Sequence, residues 1–484
     1  MTRSHNSKEL FVFLAIIASL WILVSHSITT ISRVEQHDLS PVQQLLPKQI
    51  AVLTQQPEAS NNNNRAHTLD DNDLEVELVT EGLKSPTSMA FIGNHGDMLI
   101  LEKSGEVILF DNENKSRITL LNLTVNDQNE RGLLGVAVLN NVSDTYTITT
   151  RDNNNNNTSD SISAPLSSTT RTFVFFYLTE ASKEDRSQAL GNRIYRFLWN
   201  DTDKSLSNGT LILDLPVLPG QNHNGGKLIA DSENRQIYAV IGDLNRRGTL
   251  QNFKNGSLPD DTSVILRINP DGSPAKDNPF LNISSMNGSY SNLSKYYAYG
   301  IRNSFGLALD PVTGMLWDTE NGPDGFDEIN IVRPGFNSGW AMVMGPIESS
   351  NVTSENDLVN FLGSSSYADP VFSWGRAVGI TDIEFYNSDK LGTDYTNNIF
   401  VGDANNGDLY FFEVNEDRTG VQFEESGLAD DLVASNDRQR TAIIFGTGFP
   451  SSITDIETGP DGYLYVLTFH PTMGTISRIV PQEQ

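Results

Sequence analysis

The chain contains no cysteine, which removes disulfides, thiolate metal centres and cysteine nucleophiles together. Positive charge is scarce: 33 lysines and arginines stand against 61 acidic residues, for a formal net charge of -28. Such a surface repels polyanions and argues against nucleic acid as a partner. Histidine is also rare, with seven in the chain, and beyond residue 73 it is confined to His95, His223 and His470. No His-Glu-x-x-His, Gly-x-Ser-x-Gly, P-loop or post-strand Gly-x-Gly-x-x-Gly occurs. Zincin, serine-hydrolase and nucleotide-dependent chemistries therefore lack their usual carriers.

What is present suits a large folded body. The 484 residues, 38% of them hydrophobic, exceed the size at which one ordinary core stops growing, so either two domains or a set of repeated units is needed. Near the start, Leu10 to Val24 is apolar except for Ser19, residues 25–28 extend it, and Arg3 and Lys8 precede it. Segment 10–28 reads as a signal anchor or a cleaved signal peptide, with residues 1–9 cytoplasmic and the rest outside the cell, anchored or secreted. Sequons at Asn122, Asn141, Asn200, Asn208, Asn282, Asn287, Asn292 and Asn351 agree with an exported glycoprotein. Residues 29–72 lack periodicity and carry Asn61 to Asn64, as a flexible linker would. The folded part is expected over 73–484, interrupted by a disordered insertion at 144–170.

Across that body, short β-rich runs alternate with Gly, Asn, Asp and Pro, and no long stretch has helical spacing. Six hairpins are expected: Met98–Glu102 with Val107–Phe110, Thr172–Leu178 with Arg193–Trp199, Ile237–Ile241 with Val264–Ile268, Met315–Thr319 with Glu328–Val332, Ile399–Asp403 with Leu409–Val414, and Tyr463–Thr468 with Thr475–Ile479. Pro-Asp-Gly at 270–272, 323–325 and 460–462 supplies tight reversals. An all-β, six-bladed propeller accounts for the size and the repetition. A pair of two-sheet sandwiches is the alternative.

Four segments carry candidate chemistry. Asn222-His223-Asn224-Gly225-Gly226-Lys227 sets an imidazole beside two glycines, and Gly242-Asp243 ends the next apolar run with a carboxylate that could hold one tautomer. Tyr299 to Gly306 contains Arg302 and Asn303 among glycines. Glu320 to Glu328 is a carboxylate-rich loop with Gly322-Pro323, whose carbonyls could face a hard cation, although the spacing is not that of an EF-hand. Glu130-Arg131-Gly132-Leu133-Leu134-Gly135 leads a polar pair into an apolar strand. Trp340 and Trp374 read as core or rim aromatics.

With these segments in order, the chain resembles the glucose/sorbosone dehydrogenase family, soluble quinoproteins that oxidise aldoses with pyrroloquinoline quinone (PQQ). The likeness runs from about Val79 to Pro481 and includes Glu130 to Gly135, His223-Asn224-Gly225-Gly226, Gly242-Asp243, Tyr299 to Asn303, Glu320-Asn321-Gly322-Pro323, Asp327-Glu328-Ile329-Asn330 and Gly339-Trp340. The resemblance implies a six-bladed propeller and a catalytic group of His223 as base, Asp243 as its orienter and Arg302 as stabiliser of charge on the quinone. It implies PQQ contacts from Glu130, Asn303, Trp374 and Arg376, and Ca2+ held partly by the carbonyls of Gly322 and Pro323. Its partners would be an aldose and an external electron acceptor. The chain departs from the family pattern at one end of the cofactor: Ser452 and Thr454 stand where arginines bind the PQQ carboxylates, and Asn405 or Asn406 where a lysine does. Two other readings follow from that departure, a cell-surface carbohydrate- or partner-binding propeller without PQQ, and a calcium-dependent lactone hydrolase.

Overall fold

A computed structural model describes residues 67–93, 95–143, 170–286, 288–423, 427–428 and 432–482. The apolar segment at 10–28, most of the 29–72 linker and nearly all of the 144–170 insertion lie outside the described residues. Two expected boundaries move. Thr68–Leu69 is already a strand, paired with Thr447 and Gly446, and Thr170 opens the strand Thr170–Ala181. Local composition hid both, because cross-strand hydrogen bonds fix these residues and their own propensity does not. Among the described residues no helix is long and apolar enough to cross a membrane.

The fold is an all-β propeller. The described strands form six sheets, and each contains one of the six expected hairpins. Asp97–Glu102 pairs antiparallel with Glu106–Asp111, Gln236–Ile241 with Val264–Ile268, and Leu316–Glu320 with Asp327–Val332. Gln236–Ile241 and Val264–Ile268 are buried at every residue, as are Asp97–Glu102, Leu316–Glu320, Asp327–Val332 and Leu464–Thr468. That explains why they read as continuous apolar runs instead of an alternating pattern.

Each sheet begins with an inner strand: Pro86–Ile92, Leu133–Ser143, Leu228–Asp231, Ser304–Leu309, Ile380–Tyr386 and Ile453–Thr458. Each inner strand touches the next in this order, and the last touches the first. The ring is closed by the two ends of the folded chain, where Leu74–Leu83 pairs antiparallel with Gly474–Pro481. Between successive sheets lies a separate apolar layer. Phe175 and Tyr177 meet Ile237 and Ala239 in one layer, Trp317 and Trp374 meet Val401 and Phe412 in another, and Met98 and Phe110 meet Tyr465 and Leu467 across the closure. Burying each such side chain is worth about 1.5–3 kcal/mol.

The three Pro-Asp-Gly turns differ. Gly272 and Gly462 take positive φ (83° and 85°), and their N–H groups close turns onto Asn269 and Gly459. In the turn at 323–325 it is Phe326 that takes positive φ, 61°. This third turn joins the second and third strands of its sheet, at the end of the propeller that carries His223.

Candidate active site

His223 sits in the loop that leads from strand Ser205–Leu215 to Leu228–Asp231. Its φ of 61° is unusual for a side chain with a Cβ. The neighbouring backbone explains how the loop is held there. The His223 N–H donates to Glu130 Oε2 at 2.6 Å, and a Cβ placed on Gly242 would lie 2.5 Å from the His223 carbonyl oxygen and 2.6 Å from that of Arg302. Gly242 is therefore the point where the two loops converge, and no larger residue fits. The Asp243 N–H completes the junction by donating to the Arg302 carbonyl at 2.9 Å.

The side chains follow from this backbone. His223 Nδ1 lies 2.6 Å from Asp243 Oδ1, with side-chain exposures of 13% and 5%. Asp243 Oδ1 also accepts the Asn245 N–H at 2.8 Å, and Oδ2 accepts the indole N–H of Trp340 at 2.6 Å. Burial pushes the Asp243 carboxyl up, but His223, Asn245 and Trp340 together hold it below the usual carboxylate value. With Asp243 ionised, the proton of a neutral imidazole stays on Nδ1 and the Nε2 lone pair is free to take one.

Arg302 is buried beside this pair. Its N–H donates to Glu320 Oε1 at 2.7 Å, Nη1 donates to the Asn321 carbonyl at 2.8 Å, and the guanidinium lies 5.3 Å from the centre of the Trp340 ring. Burial lowers its proton affinity, against the pull of Asp243, Glu130, Asp327 and Glu320. Asn303 donates through Nδ2 to Glu130 Oε2 at 3.0 Å and accepts the Gly225 N–H at 3.3 Å. Glu130, His223, Asp243, Arg302 and Asn303 thus form one bonded group, although Glu130, His223 and the Arg302-Asn303 pair come from loops joining different pairs of sheets and Asp243 from a loop within one sheet.

Trp374 does not belong to this group. It is fully buried and packs edge-on against Phe372, Tyr410 and Phe412. It fills the core between two sheets, because the strand Phe372–Trp374 continues the ladder of Asp327–Val332 and turns the indole inward. The aromatic at the site is Trp340, whose signal in the sequence was only its place after Gly339. Sequence reasoning also missed Lys227, which is buried and donates to Asp382 Oδ2 at 2.8 Å and Asp455 Oδ1 at 2.6 Å. Those partners lie 155 and 228 residues away along the chain, so no local pattern could reveal them.

The family model for glucose / sorbosone dehydrogenase matches residues 83–476. The chain belongs to this family. It is 27% identical over 409 residues to the aldose sugar dehydrogenase YliI of Escherichia coli strain K12, covering 84% of this chain and 93% of that protein. The crystal structure of the soluble aldose sugar dehydrogenase from Escherichia coli, in its apo form, superposes with a TM-score of 0.59 at 25% identity, over 84% of this chain and all of that one. The PQQ-bound aldose sugar dehydrogenase of Streptomyces coelicolor shares the fold, with a TM-score of 0.55 at 21% identity over 86% of this chain and 98% of that one.

The residues present can be tested against the cofactors of such enzymes. Among the described residues no three His, Asp or Glu side chains gather as a metal site, and Gly322 and Pro323 could offer a cation only their backbone carbonyls. Those two backbone oxygens are of the kind a hard cation takes. They follow Asn321, whose carbonyl accepts Arg302 Nη1 at 2.8 Å. On the other side, Ser452 Oγ donates to the Ala404 carbonyl at 2.6 Å and Thr454 Oγ1 to the Pro86 carbonyl at 3.3 Å. Asn406 is bonded to Asp403, and Asn405 lies against Gly379. These groups supply no positive charge. Arg376 is exposed on the loop after Trp374, which is tied to the Pro323 turn by the Ala377 N–H on the Asp324 carbonyl at 3.3 Å.

Proposed function

We propose that this chain is an exported aldose dehydrogenase that oxidises the anomeric hydroxyl of a sugar to a lactone, with each of the six sheets forming one blade. The observation that carries the reading is the bond of His223 Nδ1 to Asp243 beside the buried guanidinium of Arg302. His223 Nε2 takes the proton of the anomeric hydroxyl, and Asp243 holds the ring and stabilises the imidazolium that results. Arg302 supplies a fixed positive charge where negative charge grows as hydride leaves C1. PQQ, when bound, supplies the carbonyl carbon that accepts the hydride, polarised by Ca2+. Arg302, Asn303 and Glu130 would hold its quinone end, Arg376 a carboxylate, and the carbonyls of Gly322 and Pro323 the cation. An external acceptor then reoxidises the cofactor. Export rests on the apolar segment and the sequons, which support an anchored or secreted protein on the extracellular face.

The test is to titrate the purified protein with PQQ and calcium, then supply aldoses and a dye acceptor. Dye reduction that disappears in His223→Ala supports the reading, and reduction that persists in that variant overturns it. The neutral side of the site favours a second reading, a propeller that binds carbohydrate without a quinone. Absence of PQQ binding, together with retained sugar binding, would select it.

A further inference from the structure

We infer that Trp340 is a positioning residue that sets the basicity of His223 and the placement of Arg302 at the same time. Two contacts carry this. The indole N–H donates to Asp243 Oδ2 at 2.6 Å while Oδ1 of the same carboxylate holds His223 Nδ1, and the face of the ring lies under the Arg302 guanidinium at 5.3 Å. One side chain therefore touches both the base's carboxylate and the cation. The loop is itself held in place, since the Trp340 N–H donates to the Gly300 carbonyl at 3.1 Å and the Trp340 carbonyl accepts Asn252 Nδ2 at 2.8 Å. The indole is therefore held from both ends of its own residue.

The sign of the effect follows from electrostatics. A carboxylate that shares its charge with an indole N–H has less to offer the imidazole, so Trp340 keeps His223 a weaker base than Asp243 alone would make it. The other charged groups around the pair are Glu130 at the His223 N–H, Arg302 and Glu320 behind Asp243, and Arg246, whose N–H donates to the Asp243 carbonyl at 2.8 Å. The indole N–H is a side-chain donor on Asp243 Oδ2, and its removal changes the charge of the carboxylate without changing a formal charge nearby. The ring, in turn, gives the guanidinium a flat apolar support.

For its catalytic consequence the inference rests on the dehydrogenase reading, but its first test does not. Trp340→Phe removes the N–H and keeps a ring, and Trp340→Leu removes both. The His223 imidazole is titrated by NMR in histidine-labelled full-length protein, with its resonance assigned through His223→Gln. Both variants should titrate higher than wild type by about half a pH unit, the share of a charge-assisted bond that passes to the imidazole. A titration unmoved in Trp340→Phe overturns the inference, whatever the activity. Where dye reduction is present, the acid limb of the kcat/KM profile should move up by the same amount in both variants. Trp340→Leu should lose about a further tenfold in kcat, because Arg302 loses its support. Equal kcat in the two variants overturns the part assigned to the ring. Near-ultraviolet circular dichroism on each variant separates a lost fold from a lost contact.

Discussion

One end of the propeller carries two unlike halves. From Glu130 through His223 and Asp243 to Arg302 and Trp340, the side chains are linked by hydrogen bonds or, for Arg302, by contact with the Trp340 ring, and the group holds a base, its carboxylate and a cation. From Arg376 round to Thr454 the side chains are mostly neutral, and the hydroxyls of Ser452 and Thr454 give their protons to nearby carbonyls. The first half is equipped to move a proton and stabilise charge. The second is poorly equipped to grip a ligand with several carboxylates. On the proposed reading, machinery for the reaction and machinery for retaining a cofactor are separable within one site, the former lying in the first half.

The largest expected effect lies in the first half. His223→Ala should lower kcat for aldose oxidation by about a thousandfold, within the range for loss of a general base, while equilibrium dialysis shows PQQ retention nearly unchanged. Equal loss of cofactor and turnover would mean that the halves are not separable. The second half is tested by restoring charge. Thr454→Arg should tighten PQQ about tenfold to a hundredfold, the worth of one charge-assisted bond of roughly 1.5–3 kcal/mol, read as the quenching of protein fluorescence. No tightening there, or in Ser452→Arg, would show that this side does not face the cofactor. Arg376→Ala should weaken retention by about tenfold if its exposed guanidinium is the one cation left for a carboxylate. An unchanged dissociation constant would remove it from the site.

Much of this was legible before any coordinates. Most of the central strands showed as apolar runs because they are buried on both faces, Gln236–Ile241 and Val264–Ile268 at every residue, and turn residues punctuated them. Of the inner strands, the one that opens at Leu133 was read as an apolar strand after Glu130-Arg131, and others were not legible. Leu228–Asp231 is four residues long and Ser304–Leu309 begins directly after the site loop, so neither has the length or alternation that marks a strand. His223, Asp243, Arg302 and Asn303 could be picked out because each sits in a glycine-bearing segment that allows close backbone approach. Trp374 was assigned to the site and Trp340 to core or rim, since an indole beside a glycine looks alike in both places. What decides between them is the partner: the ladder to Asp327–Val332 fixes Trp374 inside, whereas Trp340 lies in the turn beyond the strand Phe336–Asn337 and meets a carboxylate 97 residues away.

The smallest expected effect concerns the ring of inner strands that both halves share. Lys227, on the side of the base, is bonded to Asp382 and Asp455, which lie on the strands leading away from Arg376 and Thr454. Burial pulls the Lys227 ammonium down, but these carboxylates and Glu457 overcome it and keep it charged. Glu384, on the same strand as Asp382, accepts the N–H and hydroxyl of Thr458 at 2.9 and 2.6 Å. Burial lifts its carboxyl to about 7, aided by Asp455 and opposed by Thr458 and Lys227. The folded state therefore holds a proton that the unfolded chain has released, and Glu384 costs stability increasingly as pH rises from its ordinary value of 4.5 through about 7. Glu384→Gln keeps both bonds from Thr458 through its amide oxygen and has nothing to ionise. Relative to wild type it should gain about 1–2 kcal/mol between pH 4.5 and pH 8, less than the full shift because the side chain retains some contact with water. Urea unfolding at the two pH values measures this. A constant difference between the two proteins would mean that Lys227 already neutralises Glu384, and that the link between the two halves is a balanced ion cluster with no excess negative charge.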